Sequence, residues 1–173
     1  MRYVLTIGGT GTRMKQISPV DKHLLYWYDK RIVEWIQGII PEIEIVGTEK
    51  TPNRMETLKQ ISHYTDTCVV DCDIIPFGIE TIPFTDNTLL CFCSDKNKYG
   101  SVIVDTGKVM DVQENENTSR FKCSGVYFVQ SVADTINKMK NPNSIGSAMI
   151  GADAMLEKTF KRMGDIEDYF EAL

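Results

Sequence analysis

Tyr3-Val4-Leu5-Thr6-Ile7-Gly8-Gly9-Thr10-Gly11-Thr12-Arg13 decides the fold class. A short apolar run rich in β-forming residues stops at paired glycines, as a buried strand does when it runs into a tight loop. Downstream, Ile32, Ile36, Ile39 and Ile40 recur at helical spacing, Pro41 ends the pattern, and Ile43 to Val46 restart as a strand. The opening is a strand–glycine loop–helix–strand unit. Asn53 to Tyr64 reads as a second helix, with Leu58 and Ile61 inward and Arg54, Glu56 and Lys59 outward. Cys68 to Val70 reads as another buried strand, running into Asp71-Cys72-Asp73.

Further on the pattern turns to β. Thr88 to Cys93, Ser101 to Val104, Val109 to Gln113 and Val126 to Val129 are short strand-type runs. Asp105-Thr106-Gly107-Lys108 reads as a hairpin turn. Ser131 to Lys140 and Ala148 to Arg162 read as helices, the second with Met149, Ala152, Met155, Leu156 and Phe160 on one side. The expected architecture is a three-layer α/β/α, Rossmann-like fold with a mixed, mainly parallel central sheet. One domain over 1–173 is expected, with a loop-bearing half at 1–75 and a more β-rich half at 76–173.

Composition narrows the function classes. With 173 residues, 42% hydrophobic, 25% charged and no repeat or low-complexity segment, the chain reads as globular. A net charge of −5 and no Lys/Arg block argue against a nucleic acid backbone as main partner. No stretch approaches the ~18 apolar residues of a membrane span, and no leader pattern stands at the N-terminus, so a cytoplasmic location is expected. Five cysteines, Cys68, Cys72, Cys91, Cys93 and Cys123, include no C-x-x-C pair and read as core filling. His23 and His63 find no partner pattern and read as structural or surface residues.

Three features could carry chemistry. Closely spaced glycines at Gly8, Gly9 and Gly11, with Thr10 and Thr12 between and after them, let backbone N–H groups converge on a phosphate. The run lacks the terminal Gly-Lys-Ser/Thr of a Walker A loop, and Met14 stands where a dinucleotide fingerprint has its last glycine. Arg13 and Lys22 follow within nine positions and could neutralise charge on a triphosphate during displacement at the α-phosphorus. Asp71-Cys72-Asp73 would project carboxylates beyond the end of a buried strand, where a hard cation such as magnesium could bind.

Gly8-Gly9-Thr10-Gly11-Thr12-Arg13-Met14 followed by Asp21-Lys22-His23-Leu24-Leu25 resembles the signature of the sugar-phosphate nucleotidyltransferase family, with Asp21 in place of the usual proline. The resemblance implies that Arg13 and Lys22 are catalytic and that Gly8, Gly9, Thr10, Gly11 and Thr12 bind the nucleotide. Arg54 and Thr57 lie in a segment similar to one that approaches the nucleotide in cytidylyltransferases. Asp73 would hold Mg2+ together with Asp165, the latter from Gly164-Asp165-Ile166-Glu167-Asp168-Tyr169, with Asp71 a water-mediated helper. Lys98-Tyr99-Gly100, Gln113-Glu114-Asn115 and Ser124-Gly125-Val126-Tyr127 look like the family's acceptor half, which carries Tyr99, Gly100, Glu114 and Gly125 over as acceptor contacts. Asn115 departs from the expected acceptor-phosphate lysine, and Lys122 or Arg120 are its candidate substitutes.

The activity implied is transfer of a nucleoside monophosphate from a nucleoside triphosphate to a phosphorylated small molecule, a sugar 1-phosphate or similar, with release of pyrophosphate. Alternatives are a molybdopterin guanylyltransferase-like enzyme and a catalytically inactive nucleotide-binding module. The expected partners are the triphosphate and the phosphorylated acceptor, without nucleic acid or membrane, and self-association as a homo-oligomer is left open.

Overall fold

The computed structural model describes residues 1–8, 20–48, 50–96, 98–114, 116–163 and 166–172. In chain order the elements are β1 (Arg2–Thr6), β2 (Tyr26–Trp27), β3 (Lys30–Arg31), α1 (Ile32–Ile39), β4 (Glu44–Val46), α2 (Arg54–Lys59), β5 (Thr65–Asp71) and β6 (Ile74–Ile75). They continue with β7 (Thr88–Cys93), β8 (Ser101–Asp105), β9 (Lys108–Gln113), β10 (Phe121–Ser131), α3 (Val132–Lys138), β11 (Asp153–Leu156), β12 (Lys161–Arg162) and α4 (Ile166–Ala172).

An eight-stranded sheet in the order β4-β1-β5-β10-β7-β11-β9-β8 organises these residues. β4, β1 and β5 are mutually parallel, β7 and β11 are parallel to each other, and β10 runs antiparallel to both β5 and β7. β9 runs antiparallel to β11 and β8, so β10 and β9 are the reversed strands in a sheet whose others share one direction. The far end curls back, because Lys122 of β10 also pairs with Ser101 of β8. The two sides of the sheet carry separate cores, and the strand residues alternate between them. Leu5, Cys68, Val70, Leu90, Val126 and Phe128 pack with Ile32, Val33 and Ile36 of α1. Val4, Val69, Leu89, Cys91, Tyr127 and Val129 pack with Leu58 of α2 and Val132 and Ile136 of α3. These are the three layers expected from the sequence.

Local chemistry explains the element ends. Glu34 accepts from Arg31 N at 2.7 Å at the start of α1, and Asn53 and Ser131 accept from Glu56 N and Asp134 N to cap α2 and α3. In the turn between β8 and β9, Thr106 and Gly107 have φ of 47° and 79°, the paired positive values of a tight hairpin.

Two readings of the sequence need correction. The helix expected over 148–162 is absent: a 3-10 turn (Gly146–Ala148) is followed by β11, which pairs Asp153–Leu156 in parallel with Thr88–Cys91, and then by β12. Its apolar residues serve both cores, with Met149 and Ala152 on the α2–α3 side and Phe160 on the α1 side. The helix expected over 53–64 ends at Lys59, with turns completing the stretch. Among the described residues no helix is long and apolar enough to cross a membrane.

Candidate active site

The parallel strands β1 and β5 end side by side, with Thr6 opposite Asp71. Both chains therefore enter their loops at one crevice, the usual ligand position in an open α/β sheet. A cleft of about 530 Å³ opens there, lined by Gly8, Lys22, Arg54, Thr57, Asp71 and Asp73. The lining also includes Lys98, Tyr99, Gly100, Glu114, Gly125, Ser144, Arg162 and Asp168. The structure thus brings together most of the described residues that the sequence singles out, including the nucleotide-type and acceptor-type sets. Gly9, Thr10, Gly11, Thr12, Arg13, Asn115 and Asp165 lie outside the described residues.

Lys22 opens a 3-10 turn (Lys22–Leu24), and its Nζ lies 2.8 Å from Oδ2 of Asp73. The Asp73 backbone is pinned by Met163 N, which donates to its carbonyl at 2.8 Å. Arg54, at the start of α2, places its guanidinium 2.6 Å from Oδ2 of Asp71. Asp71 is buried, and its Oδ1 has no hydrogen-bond partner among the described residues. Burial pushes the Asp71 carboxyl up to about 6, with Arg54 and Lys22 acting in the opposite direction. Burial also works against the charge on Arg54, but the Asp71 carboxylate outweighs it and holds the guanidinium well above its ordinary range.

The donor set suits a hard divalent ion. Two carboxylates stand at the crevice, one with a buried oxygen that meets no hydrogen-bond partner among the described residues, and magnesium is commonly held by one or two carboxylates together with substrate phosphates. Cys72 and Cys123 also line the cleft, but burial pushes their thiols up to about 12 and about 11, so both are neutral at physiological pH. His23 lines the cleft beside Lys22, while His63 stacks edge-on against Tyr64 with ring centroids 4.5 Å apart.

Elsewhere in the lining, Glu114 lies against Gly100 and accepts from the Ser144 hydroxyl. Tyr99 donates to Asp168, which also pairs with Lys98 at 2.9 Å. Lys122 is placed elsewhere: it is fully buried, and its Nζ donates to Ser101 Oγ and Asn117 Oδ1, each at 2.7 Å, away from the cleft lining. Arg162 comes to the cleft instead, from a two-residue strand paired with β6 directly after Asp73. Its guanidinium carbon stacks 3.5 Å above the centre of the Phe92 ring, it pairs with Glu157, and burial lowers it to about 10.

Lys98, Arg162, Asp168, Ser144 and the Asn141 and Asn143 side chains are cleft residues that sequence reasoning did not select. Lys98 and Asp168 sit inside segments singled out for neighbouring residues. Arg162 follows Lys161 in an ordinary charged run and carries no local signal. Helix α4 is held by contacts along its length: the Trp27 indole donates to Ala172 O at 2.8 Å, while Lys96 and Lys98 pair with Glu171 and Asp168 at 2.7 and 2.9 Å.

No protein-family model and no curated protein sequence matches the chain. Solved structures do match. A CTP:phosphocholine cytidylyltransferase from Streptococcus pneumoniae is 12% identical with a TM-score of 0.78, covering 98% of this chain and 96% of that one. A nucleoside-diphosphate-sugar pyrophosphorylase from Vibrio cholerae is 13% identical with a TM-score of 0.72, covering 99% of each. A protein from Bacillus anthracis designated a glucose-1-phosphate thymidylyltransferase, solved with sucrose, is 14% identical with a TM-score of 0.66, covering 99% and 93%. The chain therefore has the fold of known nucleotidyltransferases, matched over nearly its whole length.

Proposed function

We propose that this chain moves a nucleoside monophosphate from a nucleoside triphosphate to a phosphorylated small molecule, releasing pyrophosphate. The observation that carries the reading is one cleft lined by Gly8, Lys22, Arg54 and Asp73 together with Tyr99, Gly100, Glu114 and Gly125, on a fold shared with nucleotidyltransferases. A triphosphate would lie along the glycine loop, with Arg13 and Lys22 neutralising charge that grows on the displaced pyrophosphate. Arg54 and Thr57, which line the cleft from α2, would contact the nucleoside end, and Thr57 lies against Gly8. The acceptor phosphate is already an anion near neutral pH, so its attack on the α-phosphorus needs positioning and charge neutralisation more than proton transfer.

Asp73 and Asp165 would hold Mg2+, which supplies further neutralisation of the phosphates. Lys98 and Arg162 line the cleft where Lys122 does not, and they would take the place the sequence reading gave to Lys122 as contacts for the acceptor's phosphate. Such substrates put the protein in the cytoplasm. The test is pyrophosphate release from purified protein with Mg2+, the five common nucleoside triphosphates and a panel of phosphorylated sugars, alditols and amines. A signal requiring one triphosphate and one acceptor supports the reading; no release across the panel, with no Mg2+-dependent nucleotide binding, sinks it.

A further inference from the structure

We infer that Lys22 is the resident counter-ion of Asp73, displaced by an incoming divalent cation, so that occupation of Asp73 and release of the Lys22 ammonium toward the nucleotide phosphates are a single exchange. The inference rests on the reading of Asp73 as a metal ligand. Lys22 Nζ lies 2.8 Å from Asp73 Oδ2, and the two side chains are 14% and 17% exposed, so the pair is half-sheltered from solvent screening. Magnesium binds a carboxylate oxygen at about 2.0–2.1 Å. An ion at that distance from Oδ2 would share the oxygen with an ammonium in hydrogen-bond contact, which puts two cations close together in a partly dry crevice.

The neighbouring pair is neutralised in the same way. Asp71 is closed by Arg54 at 2.6 Å just as Asp73 is closed by Lys22, so in these two pairs, among the described residues, two carboxylates meet two cations. A divalent ion adds charge to a balanced set unless one resident cation leaves. Lys22 is the one built to leave. Its pair is the more exposed at the carboxylate, Asp73 being 17% exposed against 7% for Asp71, and its four-carbon stem can swing while the backbone holds. That backbone is fixed on both sides, by Leu24 N donating to Asp21 O at 2.9 Å and Leu25 N donating to Lys22 O at 3.1 Å. The displaced ammonium is then free for the triphosphate, a ligand with several negative oxygens, in the cleft that Gly8 also lines. Lys22 thereby becomes available for charge neutralisation only once the metal position is filled.

The test is a titration of Mn2+, read by electron paramagnetic resonance, into the full chain without nucleotide. Wild type is compared with Lys22→Met and with Lys98→Met, which removes an equal charge from the same cleft but one paired to Asp168. Lys22→Met should bind Mn2+ about tenfold tighter than wild type, a difference of about 1.4 kcal/mol. Lys98→Met should change the affinity by less than about threefold, as a general field effect does. Equal gains in the two variants, or weaker binding by Lys22→Met, would overturn the exchange. Lys22→Gln replaces Lys22→Met if the latter does not fold, with the same ranking expected. Asp73→Asn should weaken Mn2+ binding; unchanged binding removes the metal from Asp73 and the exchange with it. Pyrophosphate release is a separate readout: a chain that transfers nothing yet gains Mn2+ affinity only on loss of Lys22 keeps the exchange and loses the transfer reading.

Discussion

Gly125 and Asp71 touch across the β5–β10 boundary so closely that a methyl on Gly125 would sit 2.8 Å from the Asp71 Oδ2. The same oxygen holds Arg54. β10 is irregular between Cys123 and Tyr127, and Gly125 has a φ of 84°, so the strand kinks inward where the carboxylate needs cover. A bare α-carbon is what lets an antiparallel strand close over the Asp71–Arg54 pair.

Gly125→Ala should therefore cost more than an equal change elsewhere. Gly107 has a similar φ of 79° but open space around it, which isolates the backbone cost at roughly 1–2 kcal/mol. Gly125→Ala adds the clash and should reach about 3 kcal/mol or more. Urea midpoints of the two variants, measured side by side, check the ranking.

Lys22→Ala should lower pyrophosphate release by about 10²–10³-fold, the usual effect of removing one aligned charge-stabilising group. Its circular dichroism should match wild type, since the side chain contributes to neither core. An unchanged rate would remove Lys22 from the chemistry.

Arg54→Met leaves the buried Asp71 without its 2.6 Å partner. At pH 7 the variant should lose on the order of 2–3 kcal/mol of stability, the cost of stranding a buried charge softened by the exposed side of the pair. Nucleotide affinity should fall as well. Denaturant unfolding and a nucleotide-binding isotherm on the same sample separate the two effects.

Lys122 ties stability to alkaline pH. Burial lowers its ammonium below an ordinary lysine, so the folded state disfavours the proton that the unfolded chain keeps. Over the window between the lowered folded value and the ordinary unfolded one, the unfolded state binds more protons, and stability rises with pH. Urea midpoints from pH 8 to 10.5 should show this rise in wild type and a shallower one in Lys122→Met.

Asp168→Ala should loosen α4, because Asp168 anchors both Tyr99 and Lys98. Hydrogen exchange over 166–172 should quicken while β5 and β10 keep their protection. Equal quickening in those central strands would mean that Asp168 supports the whole fold.

Local signals carried much of the architecture. The run from Tyr3 into glycine, the Ile32–Ile36–Ile39 spacing and the Asp105–Lys108 turn are each written in adjacent residues, and β1, α1 and the β8–β9 hairpin follow them. The stretch from Ala148 misled because Met149, Ala152 and Met155 fall three apart, a helical interval. Its real state depends on β7, some sixty residues earlier, whose parallel edge accepts Asp153–Leu156. In the site, Lys22 and Asp73 are each announced by a motif, but their 2.8 Å contact needs the parallel β1–β5 pairing to exist. Lys122 stays away from the cleft and Arg162 reaches it for a similar reason. Both are cations on β-strands, and which one reaches the cleft is set by packing: Lys122 by Ser101 and Asn117, Arg162 by the Phe92 ring.

The return of β8 onto β10 through Ser101 and Lys122 has a consequence for life at high concentration. A sheet with two free margins can be extended by a stranger's strand at either one. Here one margin is drawn back onto the sheet, and the other is β4, three residues long and opened by the exposed Glu44. The described sheet offers little template for polymerisation, and a crowded solution should find it a poor seed for fibres.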